Sequence, residues 1–142
     1  MEFKQSVGYV ISNTGRKLNH KLQQLFQEHD VTPEQWSLLM CLDEHDGITH
    51  KDLAHRTDKD PANITRLVDQ LERKELVRRV ANPGDRRSQL LYLTQNGRTN
   101  AHALAPIEAN LVTQMLKDIS EEEIQAFMSF MAKIKNNVEQ PM

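Results

Sequence analysis

One stretch constrains the fold most tightly: Asp60-Pro61-Ala62-Asn63-Ile64-Thr65-Arg66-Leu67-Val68-Asp69-Gln70-Leu71-Glu72-Arg73-Lys74. Ile64, Leu67, Val68 and Leu71 fall at i, i+3, i+4 and i+7, the spacing of one buried helical stripe. Asp60 suits the N-cap, and Pro61 suits the first helical position, where no N–H is needed. The opposite face carries Ala62, Asn63, Thr65, Arg66 and Gln70. Amide, hydroxyl and guanidinium groups of this kind hydrogen-bond to base edges and phosphates, and a small residue leaves room for a thymine methyl. The bland alternative is an ordinary solvated helix face, and the neighbouring segments decide between the two.

Before this stretch the sequence predicts three helices. Val7, Val10, Ile11, Thr14, Leu18, Leu22, Leu25 and Phe26 recur every three or four positions, predicting a long helix from about Phe3 to His29. A helix of that length at a terminus needs support outside its own small core, which points to half of a dimer interface. Thr32-Pro33-Glu34-Gln35 opens the second helix with a capping box. Trp36, Leu39 and Met40 are expected to face inward, with Leu38 and Leu42 extending the apolar face, and Asp46-Gly47 stops the helix. Ile48 leads into a third helix capped by Thr49, with Asp52 at the capping-box position and Leu53 and Ala54 inward. Thr57-Asp58-Lys59 is then a short polar turn into the Asp60 helix. Two short helices across such a turn are the helix-turn-helix pattern.

After Leu76 the period changes to that of strands. Val77-Arg78-Arg79-Val80 and Gln89-Leu90-Leu91-Tyr92-Leu93 flank a breaker-rich turn, Ala81 to Ser88, so a β-hairpin with a basic tip is expected. Thr94 caps a helix running to about Asp118, which Pro106 either kinks or divides in two. Ser120-Glu121-Glu122-Glu123 caps a last helix whose stripe is Ile124, Phe127, Met128, Met131 and Ile134, with Val138 extending it. The predicted class is mainly α with a small β-hairpin wing, a winged helix-turn-helix lobe over residues 32–93. Long terminal helices, 1–31 and 94–142, complete a single 142-residue domain.

Charge distribution says more than net charge. The chain carries −2 overall, yet from Arg56 to Ser88 nine Lys/Arg oppose six Asp/Glu, a local +3 that leaves −5 elsewhere. A basic middle between acidic ends is expected where one surface meets phosphate. No apolar run approaches the roughly 20 residues that span a bilayer, and Met1 to Ser6 does not read as a signal peptide. Cys41 alone forms no intrachain disulfide, which suits a reducing cytoplasm.

With Asp60 to Val68, Leu71 to Arg79, Asn82-Pro83-Gly84-Asp85-Arg86-Arg87-Ser88 and Leu93-Thr94-Gln95-Asn96-Gly97, the chain resembles the MarR family of bacterial transcriptional regulators. The likeness spans essentially the whole chain and is most specific at the wing, an Asp-x-Arg tip before a strand ending in Leu-Thr-x-x-Gly; Pro106 after the wing also fits. It implies a homodimer held by the first and last two helices, and repression of a target promoter relieved by a ligand or an oxidant. It further implies that Arg87 enters the minor groove, oriented by Asp85. A narrow minor groove concentrates negative potential, which a guanidinium matches well. Arg86 is expected at phosphate. Asn63, Thr65 and Arg66 are the expected base readers, flanked by Ala62 and Gln70; Thr49, Lys59 and Arg78 are placed to touch phosphate and fix register. His50 could join them at phosphate, but its plainer reading is a surface histidine.

The remaining candidates are weaker. Cys41 lies in Leu38-Leu39-Met40-Cys41-Leu42 with no adjacent Lys or Arg, and reads as an inert core thiol. None of the six histidines pairs with another at i, i+4 on one helix, so neither metal nor cofactor is called for. Trp36, Met40, Tyr9 and Arg16 could line a pocket for a small aromatic or phenolic effector, although Trp36 and Met40 also read as core. Nothing resembles an active site. The rival reading is a winged-helix module that binds protein and never reads DNA.

Overall fold

The computed structural model describes residues 2–142. Its elements are α1 (Val7–Phe26), α2 (Pro33–Glu44), β1 (Ile48–Thr49), α3 (His50–Thr57), α4 (Pro61–Arg73), β2 (Val77–Ala81), β3 (Gln89–Leu93), α5 (Gln95–Met115) and α6 (Glu121–Glu139). The first helix is shorter than expected because local chemistry sets both ends. The Ser6 hydroxyl accepts from the Tyr9 N–H and starts α1, leaving Phe3–Gln5 as a separate 3-10 turn. After Phe26 the chain tightens into a second 3-10 turn, Gln27–His29, and Asp30 stops it in the left-handed conformation at φ 53°. Asp tolerates that region better than most residues. Asp58 and Asp118 repeat the device, with Glu75 doing the same after α4.

The capping readings for α2, α4 and α6 hold. Thr32 and Gln35 form a complete capping box, as do Ser120 and Glu123, and Asp60 accepts from the Asn63 N–H at 2.8 Å. In α3 the box is half made: Thr49 accepts from the Asp52 N–H, but the Asp52 carboxylate turns to Arg56 at 3.1 Å. Asp is one methylene short of the Glu that normally reaches back.

The lobe is built on a three-stranded antiparallel sheet in the order β1-β3-β2. The hairpin pairs Val77 with Leu93 and Ala81 with Gln89, and β1 adds Ile48 opposite Leu91. The two-residue β1 lies outside the sequence expectation; it exists through its pairing with β3 rather than through any periodicity of its own. The expected stripe of α4 is fully buried at Ile64, Leu67, Val68 and Leu71. Leu38, Leu39 and Leu42 of α2, Leu53 of α3, and Val77, Leu91 and Leu93 of the sheet close the same core. Each such side chain contributes about 1.5–3 kcal/mol by leaving water. Trp36 and Met40 depart from expectation: both are only half-buried at the core's edge, with Trp36 tilted against Phe26 at 5.6 Å.

Two contacts fix where α5 begins. The Thr94 hydroxyl accepts from the Gly97 N–H at 3.0 Å and donates to the Glu75 carbonyl at 2.6 Å. Gly97 lies so close to the sheet that a Cβ there would sit 2.0 Å from the Leu76 carbonyl oxygen. The helix then continues through Pro106 to Met115, which excludes a separate helix starting at the proline. Pro106 and His102 are both exposed, so the carbonyl deprived of its helical donor lies on a wet turn.

The chain divides into two compact units, one ending at Ala109 and one running from Asn110 to Met142. The second unit holds the end of α5 and all of α6, and α6 has no buried residue. Of its expected stripe, Ile124, Met131 and Ile134 are half-buried while Phe127, Met128 and Val138 are exposed, as is Phe130 outside the stripe. No described helix is long and apolar enough to cross a membrane.

Candidate nucleic-acid interface

The α4 face opposite the core carries the expected polar set. Ala62, Thr65 and Arg66 are exposed; Asn63 and Gln70 are half-buried. Arg66 donates to the Asn63 amide oxygen and to Glu34 of α2, the latter at 3.1 Å. Glu34 sits at the surface, where an ion pair is worth about 0–1 kcal/mol and is readily exchanged for another acceptor. Thr65 donates back to the Pro61 carbonyl at 3.0 Å and keeps its acceptor lone pairs. Gln70 is more committed: its amide oxygen accepts from Gln35 at 2.9 Å.

Gln35 is the buried polar residue of the lobe. It donates to Gln70, and its oxygen accepts from Lys74 at 2.9 Å and from the Thr32 N–H at 3.2 Å. Lys74 donates in turn to the Asp30 carbonyl at 2.6 Å. This network ties the C-terminal end of α4 to the start of α2, and a buried amide so satisfied fixes one arrangement of the two helices. On the other side, Arg79 of β2 pairs with Asp69 and reaches Glu72 at 3.5 Å, tying α4 to the wing. A third brace links Arg98 of α5 to Asp43 and Asp46, both at 3.0 Å, while Asp46 also accepts from the Leu93 N–H. Asp43, which interrupts the apolar stripe of α2, is thereby explained. Sequence reading missed all three braces, because each joins residues far apart in the chain.

The wing tip is held by its own short side chains. Asn82 accepts from the Gly84 N–H at 3.0 Å and donates to Ser88 at 2.9 Å. Asp85 accepts from the Arg87 backbone N–H at 2.9 Å, an Asx turn. The aspartate thus shapes the backbone that presents Arg87 rather than gripping its guanidinium. Arg86 and Arg87 are exposed, and neither guanidinium has an ion-pair partner among the described residues. Arg78 lies over the Tyr92 ring at 4.8 Å, outward on the strand pair. Thr49 and Lys59 are half-buried at the ends of α3 and its following turn. His50, read as a surface residue, is instead half-buried; desolvation and then the nearby Arg79 cation hold its imidazole below the ordinary value of 6.5.

A cavity of about 740 Å³ opens between α2 and α3, lined by Trp36, Met40, Cys41, Asp52, His55 and Arg56 among others. Tyr9 and Arg16 do not line it. Cys41 is therefore half-buried at a cavity wall rather than deep in the core. Arg56 does lie near enough to pull the thiol down, but burial outweighs it and pushes the thiol above its ordinary 9.0. Among the described residues no three His, Cys, Asp or Glu side chains cluster to hold a metal ion.

Residues 31–89 match the model of the MarR family. The chain is 29% identical over 129 residues to the Escherichia coli O111:H- protein named transcriptional regulator HosA, covering 84% of this chain and 96% of that one. Among solved structures it is similar to the S. aureus MepR–DNA complex, with a TM-score of 0.88 at 24% identity, 97% of this chain and 100% of the other. It is also similar to Bordetella bronchiseptica BpsR, whose structure addresses regulation of DNA binding by 6-hydroxynicotinic acid, with a TM-score of 0.86 at 21% identity over 95% and 96% of the two chains. At these identities the structural likeness is one of fold. Together with the domain match, the winged lobe and the near full-length relative, it establishes that the chain belongs to the MarR family of winged helix-turn-helix transcriptional regulators.

Proposed function

We propose that the chain is a sequence-specific double-stranded DNA-binding regulator that works as a homodimer on a palindromic operator in the cytoplasm, repressing until a small aromatic or phenolic effector releases it. One observation carries the reading: a wing tip with two exposed, unpaired arginines beside an exposed polar helix face, in a chain whose net charge is −2. In this reading α4 enters the major groove and Asn63, Thr65 and Arg66 meet base edges, with Ala62 and Gln70 at the margins. Arg87 enters the minor groove, Asp85 sets its backbone, and Arg86, Thr49, Lys59 and Arg78 meet phosphate. A module that bound only protein would have no use for Arg86 and Arg87 at an extended tip.

Residues 32–93 are assigned to the DNA-reading lobe, 1–31 and 94–142 to dimerisation. The exposed apolar side chains support that division: Phe3, Val7 and Val10 near the start, and Met115, Ile119, Phe127, Met128 and Phe130 toward the end. Two copies must place their α4 helices about 34 Å apart to enter successive major grooves. An effector that binds the DNA-incompetent spacing more tightly than the competent one shifts the population away from DNA. The MepR and BpsR likenesses support DNA as partner and a ring acid as effector class.

The test is gel-shift titration of promoter fragments at several salt concentrations. The logarithm of affinity should fall linearly with the logarithm of salt. Absence of a shift, or a shift indifferent to salt, contradicts the reading.

A further inference from the structure

A second cleft, about 650 Å³, separates the start of α3 from the wing, and its walls include Thr49, His50, Lys51, Asp85, Arg86 and Arg87. The Thr49 hydroxyl already caps α3, Asp85 is occupied by the Arg87 N–H, and Lys51, Arg86 and Arg87 are exposed cations. His50 is the half-buried group in this ring of charge, and no described residue hydrogen-bonds its imidazole. The charges around it come from every neighbouring element. Arg79 of β2 opposes a second positive charge, and Asp69 and Glu72 of α4 favour one, but both acids are paired to Arg79. The wing adds Arg86 and Arg87 against Asp85, and α3 adds Lys51. Desolvation is the largest influence on the imidazole and the Arg79 cation the next, and both disfavour its charged form.

Building on the DNA-binding reading above, we propose that a backbone phosphate of bound DNA enters this cleft and that His50 takes up a proton as it does so, making the protein's grip on DNA tighter as pH falls. A phosphodiester brings a full negative charge within reach of the imidazole, supplies the missing hydrogen-bond acceptor and offsets the surrounding cations. Histidine is the side chain whose charge such a change can flip near neutral pH. Protonation and binding are then linked: if DNA draws a proton onto His50, protons draw the protein onto DNA. Each proton taken up steepens affinity by up to about tenfold per pH unit, with one site in each protomer.

The experiment uses the full chain and a labelled duplex of arbitrary sequence at low salt, because backbone contacts need no operator. Affinity is measured from pH 6 to pH 8 for the wild type, His50→Gln, His50→Arg and His20→Gln, the last altering an exposed histidine on α1. The wild type and His20→Gln should tighten several-fold as pH falls. His50→Gln should lose that gain and give a flat profile, and His50→Arg should stay tight throughout. A His50→Gln profile as steep as the wild type's, or a flat wild-type profile, overturns the proton-uptake proposal while leaving DNA binding intact. No binding by the wild type at any pH overturns the DNA-binding reading itself, and this inference with it.

Discussion

Arg87 and Asp85 have separate roles at the wing tip. The Asp85 carboxylate accepts from the Arg87 N–H at 2.9 Å, so the turn is rigid while the guanidinium stays unpaired. Arg87→Ala should therefore weaken DNA binding by about tenfold or more, the loss of a charge-assisted contact worth ~1.5–3 kcal/mol, with the fold intact by circular dichroism. Asp85→Ala should weaken it less, since it loosens the turn but spares the cation. Gly97 is a different kind of residue. A Cβ there would lie 2.0 Å from the Leu76 carbonyl, a fixed backbone atom. Gly97→Ala should cost about 1–3 kcal/mol, as overpacking does, read as a lower midpoint in urea. Titration adds two opposite signs. His50 is held below 6.5, so the unfolded chain binds more protons there, and His50's contribution to stability is complete above 6.5 and lost as pH falls. Cys41 is held above 9.0, so its contribution is complete below 9.0 and lost as pH rises past it. Iodoacetamide should accordingly modify Cys41 slowly at neutral pH, more slowly than it does a free cysteine; faster modification than that would contradict a thiol disfavoured by burial.

Between elements, the C-terminal half of α4 is held from two sides, by Gln35 and Lys74 on one and Arg79 on the other. Gln35→Ala removes the hub of the first brace and leaves Gln70, Lys74 and the Thr32 N–H to find other partners. About 1–3 kcal/mol of stability should be lost, with faster amide exchange in the last turn of α4 than in its first. These braces also show what sequence reading can reach. The α4 stripe, the caps Asp60, Thr32 and Ser120, and the hairpin were legible, because each is written within a few residues of itself. Hidden were β1, which exists only through Leu90 and Leu91 of β3, and helix stops made by Asp30, Asp58, Glu75 and Asp118 in place of glycine. Asp43 looked like a broken pattern because its reason, Arg98, lies on another helix. The candidate site was proposed from the sequence as a set of side chains, and its supports were hidden: nothing near His50 in sequence announces Arg79 or the wing beside it.

For the whole molecule, a single chain leaves too much apolar surface in water to be the working form. Phe127 is 58% exposed, Met128 60% and Phe130 54%, on a helix with no buried residue. Sedimentation equilibrium should report twice the 16.4 kDa chain mass, and Phe127→Glu should shift it toward the monomer. Loss of pairing should weaken operator binding far more than it changes the lobe's own fold, because one chain closes that core itself, with Phe26 of α1 and Ala101 and Leu104 of α5 completing what α2–α4 and the sheet bury. If the polar face of α4 and the wing read DNA sequence in pairs, the bound sequence must carry the same symmetry. Selection of bound duplexes from a random pool would reveal it. An enriched palindrome whose half-sites lie about 10 base pairs apart, one helical turn, is expected; recovery of bound DNA with no common motif, or with a single unrepeated half-site, would contradict paired reading.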